Sequence, residues 1–250
     1  MLRGIAASGR ALLNRAGIDV VRHRPIPPHL TRRAHLLSRF GVTVVLDVGA
    51  NAGQYARELR SIGYRRRIVS FEPLSSAYAA LSSLAAADAA WQAVNLALGS
   101  APGEAVLNVA GNSWSSSLRP MLDAHLSAAP DSEYVASETV TVERLDAVFG
   151  HYVNPDDRVW LKIDTQGHEA DVLAGAGAVL DRVDTIQLEM SAVGMYEGEL
   201  PFMEMYRRLE SLGYACVHLE PGLVDPYDER LLQLDGYFHR VAPLAGGAPR

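Results

Sequence analysis

The first residues that could take part in binding or catalysis lie at 47–53, directly after an apolar run typical of a buried strand. They form the pattern D-x-G-A-N-x-G, with Asp47, Gly49, Asn51 and Gly53. Glycines let the backbone turn tightly and approach a ligand, and residues 54–62 have the pattern of a helix. A strand, glycine loop and helix in this order is the nucleoside or phosphate cradle of doubly wound α/β folds. A carboxylate at the end of the strand would repel a pyrophosphate but suits a cationic ligand.

A second acid, Glu72, ends the next apolar run, 25 residues after Asp47. An acid at the end of the second strand is placed to hold a ribose diol. A cationic group together with a ribose points to S-adenosylmethionine as the ligand. The alternative is an ordinary strand-to-helix turn with two incidental acids. We favour the ligand site because the two features agree in order and spacing.

A third cluster lies at 160–169, where an apolar run again ends in an acid and a glycine turn. It contains Asp164, Gln166 and His168, and the next strand ends at Glu189. Ligands in open α/β sheets lie outside the carboxyl ends of the strands, so we expect these side chains to face the same crevice as the first two acids. Clustered carboxylates repel one another unless a cation or ligand joins them, which favours a functional site.

His168 is the candidate base for transfer of a methyl group to a hydroxyl. Its unperturbed pKa near 6.5 suits proton removal, and Glu169 or Asp164 could orient the ring. The alternative, to which we give equal weight, is a residue that only caps a helix or faces solvent. We therefore predict a reactive corner of His168, Asp164 and Glu189, which holds the acceptor oxygen in line behind the methyl group; such positioning can supply about 7–11 kcal/mol.

Composition limits the class of protein. Hydrophobic residues make up 48% of the 250 residues, which suits one large domain or one domain with an appendage. The net charge of −6 argues against general affinity for nucleic acid. The only cysteine, Cys216, excludes a disulfide framework or a cysteine metal site within one chain. We expect a cytoplasmic protein, and the sequence leaves a homodimer open.

The first forty residues carry eight arginines against one acid, Asp19. Residues 1–39 are predicted to be a basic helical extension with a proline-rich linker, and residues 40–250 the main domain. No apolar run there is long enough for a signal peptide or a membrane span. We favour a solvated lid or packing helix, because the apolar face is short. The alternative is peripheral contact with an anionic membrane or an arm over the substrate.

Apolar periodicity predicts strands that alternate with helices, and hence a doubly wound, mostly parallel α/β sheet of seven strands that ends in an antiparallel pair. The polar loop 111–117 contains Trp114 and suits a sugar ring or the methionine carboxylate, unless Trp114 is tucked inward. The predicted strands are 42–48, 68–71, 91–97, 158–163, 185–189, 214–219 and 231–240, with further extended segments at 105–109 and 135–142. The predicted helices are 30–40, 54–62, 75–87, 121–128, 169–180 and 202–212.

Seven motifs together resemble the FkbM-type family of S-adenosylmethionine-dependent methyltransferases. They are LDVGANAGQYA (46–56), SFEPLSSAYAALSSL (70–84), NLALG (95–99), SSSL (115–118), ERLD (143–146), LKIDTQGHEADVLAGA (161–176) and LEMS (188–191). The resemblance implies the Rossmann-like class I methyltransferase fold and O-methylation, often of sugar hydroxyls in glycolipids, polysaccharides or natural products. Many members carry Glu where this chain has Gln166. The cofactor-binding residues we predict are Asp47, Gly49, Asn51, Gly53, Glu72, Pro73, Asn95, Leu96, Ser116 and Asp164.

A metal and two other functions stay open. Asp164 and Glu189 end adjacent strands and could hold Mg²⁺, as in some sugar O-methyltransferases of related fold, although two acids and one histidine are few ligands. Without a metal, Glu189 would receive hydrogen bonds from substrate or backbone. An NAD(P)-dependent oxidoreductase is disfavoured because the loop lacks G-x-G-x-x-G and Lys162 is the only lysine. A non-catalytic S-adenosylmethionine-binding protein is disfavoured by the acids at four strand ends.

Overall fold

The computed structural model describes residues 27–241. Ten strands are present in this part of the chain: β1 (Val44–Val48), β2 (Arg67–Phe71), β3 (Trp91–Val94), β4 (Ala97–Leu98), β5 (Gly103–Ala110), β6 (Tyr134–Glu143), β7 (Val159–Ile163), β8 (Thr185–Ser191), β9 (Tyr214–Pro221) and β10 (Gln233–Arg240). The α-helices are α1 (Pro28–Arg39), α2 (Gln54–Ser61), α3 (Ser75–Ala85), α4 (Asp123–Ala128), α5 (Leu145–Tyr152), α6 (Glu169–Gly175) and α7 (Phe202–Ser211).

Seven of these strands form the central sheet, in the order β3-β2-β1-β7-β8-β10-β9. The first five are mutually parallel, and β10 lies antiparallel between β8 and β9. This confirms the predicted fold, including the antiparallel strands at the end. A second, three-stranded sheet, β4-β6-β5, stands beside the first and was not predicted as a separate unit.

Helices cover both faces of the central sheet. Every residue of β1 and β7 is buried, as expected for parallel strands that are covered on both sides. One apolar cluster joins the sheet to α1 and α2 and includes Leu36, Leu59 and Trp160. The larger cluster lies on the opposite face, where Leu173 and Leu209 come from α6 and α7. The carboxyl ends of the parallel strands are left free to form a site.

Helix α1 packs on the domain through its apolar face. Leu36 and Leu37 are buried, and Arg33 is only 5% exposed while it donates to Glu58 Oε2 at 2.6 Å. The last part of the predicted extension is therefore in contact with the sheet layer. Residues 1–26 lie outside the described residues, so the lid and membrane interpretations stay predictions. Among residues 27–241, no helix has both the length and the apolar character to cross a membrane.

Two predicted elements are divided in the structure. The strand predicted at 91–97 is split into β3 and β4, because Asn95 Nδ2 donates to the carbonyls of Glu72 and Pro73, both at 2.9 Å, and the chain turns out of the sheet. The helix predicted at 169–180 ends at Gly175, and a 3-10 helix, Gly177–Arg182, follows. Gly175 lies against the carbonyl oxygen of Gly99, where a Cβ atom would come within 1.9 Å.

Candidate active site

The glycine loop after β1 is held in a left-handed conformation at three positions. The φ angles of Gly49, Asn51 and Gly53 are 76°, 46° and 84°. A Cβ atom on Gly49 would lie 1.8 Å from the carbonyl oxygen of Asp164, so only glycine fits there. Gly53 faces the side chain of Trp91 instead of the cleft. The loop thus approaches the end of β7 closely and leaves its outer side open.

Glu72 joins the glycine loop to the turn after β2. One carboxylate oxygen accepts the backbone N–H of Asn51 at 2.7 Å, and the other accepts that of Leu74 at 2.8 Å. The side chain is 6% exposed, and burial raises the pKa of Glu72 to about 7 although both hydrogen bonds act in the opposite direction. Each oxygen retains a lone pair, so Glu72 can still accept hydroxyl donors from the cleft.

Lys162, the chain's only lysine, lies beneath the loop between two carboxylates. Its Nζ is 3.3 Å from Asp47 Oδ1, 3.3 Å from Asp164 Oδ2 and 3.3 Å from the carbonyl oxygen of Gly49. Burial lowers the pKa of Lys162, but the charges of Asp164 and Asp47 raise it by more than burial lowers it. The ammonium group therefore stays charged. Asp47 also accepts a hydrogen bond from Ser70 at 2.9 Å. Lys162 therefore neutralises part of the acidic floor of the site.

Gln166 connects the predicted reactive corner. Its amide nitrogen donates to Asp164 Oδ1 at 2.8 Å and to Glu189 Oε2 at 3.0 Å, while its amide oxygen accepts the hydroxyl of Tyr196 at 2.6 Å. Gln233 donates to the same Glu189 oxygen at 2.8 Å. Burial and the charges of neighbouring acids, Asp164 first, raise the pKa of Glu189 well above its ordinary value. The corner is thus a carboxylate pair bridged by amide donors.

His168 lies in the same cleft at the start of α6. Its Nδ1 is 3.2 Å from Asp171 Oδ2, and Asp171 is also bound by Arg119 at 2.6 Å. Burial lowers the pKa of His168, and the effect of Asp171 in the opposite direction is smaller, so the ring is neutral near pH 7. This Nδ1 atom has no hydrogen-bond partner among the described residues, so the predicted orientation of the ring by Glu169 or Asp164 is not observed, and Asp171 is the carboxylate that lies beside it. Glu169 instead accepts the backbone N–H of Thr165 at 2.8 Å and stabilises the turn.

Two further carboxylates continue the acidic row across neighbouring strands. Asp235 on β10 is directly opposite Glu189 on β8 and also opposite Glu220 on β9. Residues paired in this way project from the same face of a sheet. Burial raises the pKa of Asp235 to about 6, and Tyr237 donates to Glu220 at 2.7 Å. Sequence reasoning missed Asp235 and Glu220; polar residues at alternate positions of an otherwise apolar strand are the signal that could have identified them.

A cleft of about 410 Å³ brings most of the predicted residues together. The predicted residues that line it are Gly49, Asn51, Glu72, Pro73, Leu96, Ser116, Asp164, His168 and Glu189. Asp47, Gly53 and Asn95 are not in the lining. Asp47 lies within β1 and not beyond its end, and its side chain is fully buried. It contacts Lys162, which lines the cleft, and does not itself face the cleft. Other lining residues, not predicted, are His29, Arg33, Tyr55, Glu58, Lys162 and Gln187.

The donor set of the corner does not fit the predicted Mg²⁺. The amide nitrogen of Gln166 occupies the position between Asp164 and Glu189, and N–H groups repel a cation. Within residues 27–241 there is no group of three or more His, Cys, Asp or Glu side chains that could hold a metal ion. The Mg²⁺ expectation is therefore not supported, and Glu189 receives hydrogen bonds from Gln166 and Gln233 instead.

Three solved structures illustrate the similarity in fold. An rRNA methylase from Streptococcus thermophilus shares 12% identity at a TM-score of 0.43, over 89% of this chain and 100% of that one. Magnesium protoporphyrin IX methyltransferase from Synechocystis PCC 6803, solved with bound S-adenosylmethionine, shares 9% at a TM-score of 0.47, over 85% and 78%. The plantazolicin methyltransferase, solved with S-adenosylhomocysteine, shares 11% sequence identity at a TM-score of 0.47. The match covers 85% of this chain and 83% of that one.

The sequence comparison is more specific than these structures. No curated protein sequence matches the chain. The model of the methyltransferase FkbM domain family, however, matches residues 47–216, which run from the glycine loop to β9 and include the whole reactive corner. This match covers more than half of the chain and confirms the resemblance seen in the motifs. The chain belongs to the FkbM family of methyltransferases.

Proposed function

We propose that this protein is an S-adenosylmethionine-dependent O-methyltransferase that acts on a hydroxyl group of a sugar-like acceptor. The observation that carries the proposal is that one cleft, of about 410 Å³, is lined both by the cofactor residues and by the reactive corner. The glycine loop and Glu72 meet Asp164, Gln166 and Glu189 there. Its volume lies within the range of about 300–1,000 Å³ that is usual for small-molecule sites. Family membership supports methyl transfer; the acceptor class is inferred from the chemistry of the corner.

The cofactor half of the cleft offers the groups that S-adenosylmethionine requires. Glu72 has free lone pairs for the ribose hydroxyls, and Pro73 and Leu96 provide an apolar border for the adenine. The open side of the loop at Gly49 and Asn51 faces the methionine end, next to Asp164. When bound, the cofactor supplies an electrophilic methyl group; a carbon–oxygen bond forms as the sulfur–carbon bond breaks, and the hydroxyl proton passes to a protein base.

The acceptor half favours a hydroxyl-bearing molecule over an anion. Glu189, Asp235 and Glu220 project into the cleft in one row, and Lys162 is already engaged by two carboxylates. Phosphate groups would be repelled by this row, which disfavours RNA as an acceptor. Carboxylates and amides instead offer directional hydrogen bonds to hydroxyl groups. His168 and Glu189 are the two groups in the cleft that are suited to accept the proton, since burial keeps the first neutral and raises the pKa of the second.

Ligand binding to the full chain tests the proposal. We expect S-adenosylmethionine and S-adenosylhomocysteine to raise the melting temperature and to bind in calorimetry, while NADH does neither, because only a ligand that prefers the native state stabilises it. Incubation with S-adenosylmethionine and a panel of sugars should then give a methylated product in mass spectrometry. Stabilisation by NADH but not by S-adenosylhomocysteine would refute the cofactor; methylation only of nitrogen or of carboxylate groups would refute the acceptor class.

A further inference from the structure

A second cavity of about 360 Å³ adjoins the cleft on the outer side of the reactive corner. The two spaces share three lining residues, Trp114, Gln166 and Glu189. The shared residues are the bridging amide, one carboxylate of the corner and an aromatic ring from the loop after β5. Glu189 therefore faces both spaces, while His168 lines only the first.

Most residues that line the second cavity have polar side chains, and none of them is lysine or arginine. Amide groups come from Asn112 and Gln233, a hydroxyl from Ser115, and carboxylates from Asp131 and Glu189. Such a set can both donate to and accept from a ring that carries several hydroxyl groups. It offers no counter-charge to a phosphate or carboxylate, and burying an unpaired charge is costly.

One buried polar atom in this lining has no partner. His125 is 3% exposed, its Nε2 is 3.2 Å from Ser115 Oγ, and its Nδ1 has no hydrogen-bond partner among the described residues. Burial lowers the pKa of His125, so the ring is neutral and presents both a donor and an acceptor nitrogen. Buried polar groups are normally satisfied, so the orphaned nitrogen is a polar group in the wall of the second cavity that the fold itself leaves without a partner.

Trp114 supplies an aromatic ring at the entrance. The side chain is 66% exposed, which excludes the inward position considered from the sequence. Its loop is tied to the glycine loop, because Asn51 Nδ2 donates to the carbonyl of Ser113 at 3.2 Å. The aromatic entrance is therefore positioned relative to the cofactor half of the cleft, and a flat apolar ring suits the C–H face of a sugar.

We propose that this second cavity is the outer part of the acceptor site and that it binds a hydroxyl-bearing ring without negative charge, whose reacting hydroxyl lies beside Glu189. The proposal rests on the proposed function, since it needs a methyl donor in the first cleft. Trp114 covers one face of the ring, and the amides, Ser115 and His125 bind its hydroxyl groups. The lack of basic residues is the specificity device against acidic sugars.

Saturation-transfer NMR on the full chain, saturated with S-adenosylhomocysteine, tests this assignment. The probes are glucose and glucuronate, which share a ring and differ by one carboxylate. We expect glucose to receive magnetisation from the protein and glucuronate to bind about tenfold more weakly. Trp114→Ala should weaken the binding of glucose about tenfold, while Tyr227→Ala, which removes an aromatic ring that is 85% exposed elsewhere, should not.

A second pair of variants guards against misfolding. Gln233→Leu removes an amide from the cavity wall and should weaken glucose binding, while Asp123→Asn, at an exposed position on α4 outside the lining, should not. Glucuronate binding as tightly as glucose would overturn the proposal. So would glucose binding that survives both Trp114→Ala and Gln233→Leu, or no contact with either sugar. Failure of the unchanged protein to bind S-adenosylhomocysteine would instead refute the proposed function.

Discussion

At the scale of single residues, Gln166 decides the character of the reactive corner. Its φ angle of 56° is unusual for a non-glycine residue and turns its amide between Asp164 and Glu189. The hydroxyl of Tyr196 donates to the amide oxygen, which fixes the nitrogen toward the two carboxylates. A glutamate at this position would put a third carboxylate in place of a donor. The amide thus allows two acids to lie close together without a metal ion.

Glu72→Gln tests the ribose assignment. The change removes a charged acceptor from the cleft, and a hydrogen bond to a charged group is worth about 1.5–3 kcal/mol, so the affinity for S-adenosylhomocysteine should fall at least about tenfold. Because the pKa of Glu72 is raised to about 7, the affinity of the unchanged protein should increase as the pH rises from about 6 to 8 and then level off. Calorimetry across this range measures both effects.

The matched control is Glu104→Gln, at an exposed position on β5. It should bind S-adenosylhomocysteine as the unchanged protein does and keep the same pH dependence. Equal affinity in Glu72→Gln and in the control would show that Glu72 only connects two loops and does not contact the ribose.

His168→Gln tests the base. If His168 accepts the hydroxyl proton, kcat should fall by about 10²–10⁴-fold while the affinity for S-adenosylhomocysteine changes little, because the proton moves only in the transition state. Burial lowers the pKa of His168 below its ordinary value, so kcat of the unchanged protein, measured with saturating S-adenosylmethionine, should fall on acidification with a midpoint below pH 6.5, as the ring becomes protonated.

Two comparisons make the kinetic result specific. His151→Gln, at an exposed position on α5, should keep full activity. If His168→Gln is equally active and Glu189→Gln is not, Glu189 is the proton acceptor, which is the assignment that an acceptor in the second cavity would favour.

At the scale of elements, the site depends on turns that only a few residue types can form. The loop between β1 and α2 contains three residues with positive φ, and the loop between β7 and α6 contains Gln166 and Gly167, with φ angles of 56° and 91°. The carboxylates of Glu72 and Glu169 accept backbone N–H groups within these loops. Glu72 ties the first loop to the turn after β2, and Glu169 closes the second loop on itself, so each loop is held by one buried acid.

Gly49→Ala and Gly63→Ala separate steric fit from backbone strain. Both glycines have positive φ, 76° and 90°, but a Cβ atom on Gly63 would meet nothing within 4 Å, whereas on Gly49 it would lie 1.8 Å from Asp164 O. Gly63→Ala should lower the free energy of unfolding by about 1–2 kcal/mol. Gly49→Ala should lower it further and abolish S-adenosylhomocysteine binding. Urea unfolding and calorimetry measure the two effects, and equal losses in both variants would contradict the close approach of the loop to β7.

At the scale of the whole molecule, the fold concentrates negative charge at one edge of the central sheet. Asp164, Glu189, Asp235 and Glu220 come from four neighbouring strands, and the ammonium group of Lys162 lies below them. Burial raises the pKa values of Glu189 and Asp235, which lowers the repulsion within the row when these two are protonated. The folded protein therefore retains protons that the unfolded chain releases at the same pH.

Glu169→Gln measures this coupling of stability to pH. The ordinary pKa of 4.5 is raised to about 7, so between these values the folded state holds a proton that the unfolded chain has lost, and stability falls as the pH rises. From pH 6 to 8 the unfolding free energy of the unchanged protein should decrease by about 1 kcal/mol relative to the variant. Urea unfolding gives the difference.

The comparison with a variant is needed because buried histidines act in the opposite direction. Burial lowers the pKa values of His125, His168 and His239, so their contribution to stability increases with pH in the same range. These groups are common to both proteins and cancel in the difference. Parallel pH curves for the two proteins would show that Glu169 is already ionised in the folded state at pH 6.

The sequence by itself determined the strands, the glycine loop and the family. Runs such as 44–48 and 159–163 are apolar apart from Asp47 and Lys162, because parallel strands are buried on both faces. The positive φ angles of Gly49 and Gly53, and the acids at the ends of β2, β7 and β8, follow from local residue types. These features depend on neighbours within a few residues, so pattern and motif are sufficient to predict them.

Only the tertiary structure decided which side chains meet in the cleft. Asp47 is an acid at a strand end like the others, but its position within β1 places it beside Lys162 and below the site. Asp235 and Glu220 join the row because β10 lies between β8 and β9 in a register that sets Asp235 opposite Glu189. Gln166 excludes a metal only through contacts with strand ends and with Tyr196. Contacts between residues that are far apart in the chain are set by packing of the whole sheet, so the pattern of any one segment is not sufficient to predict them.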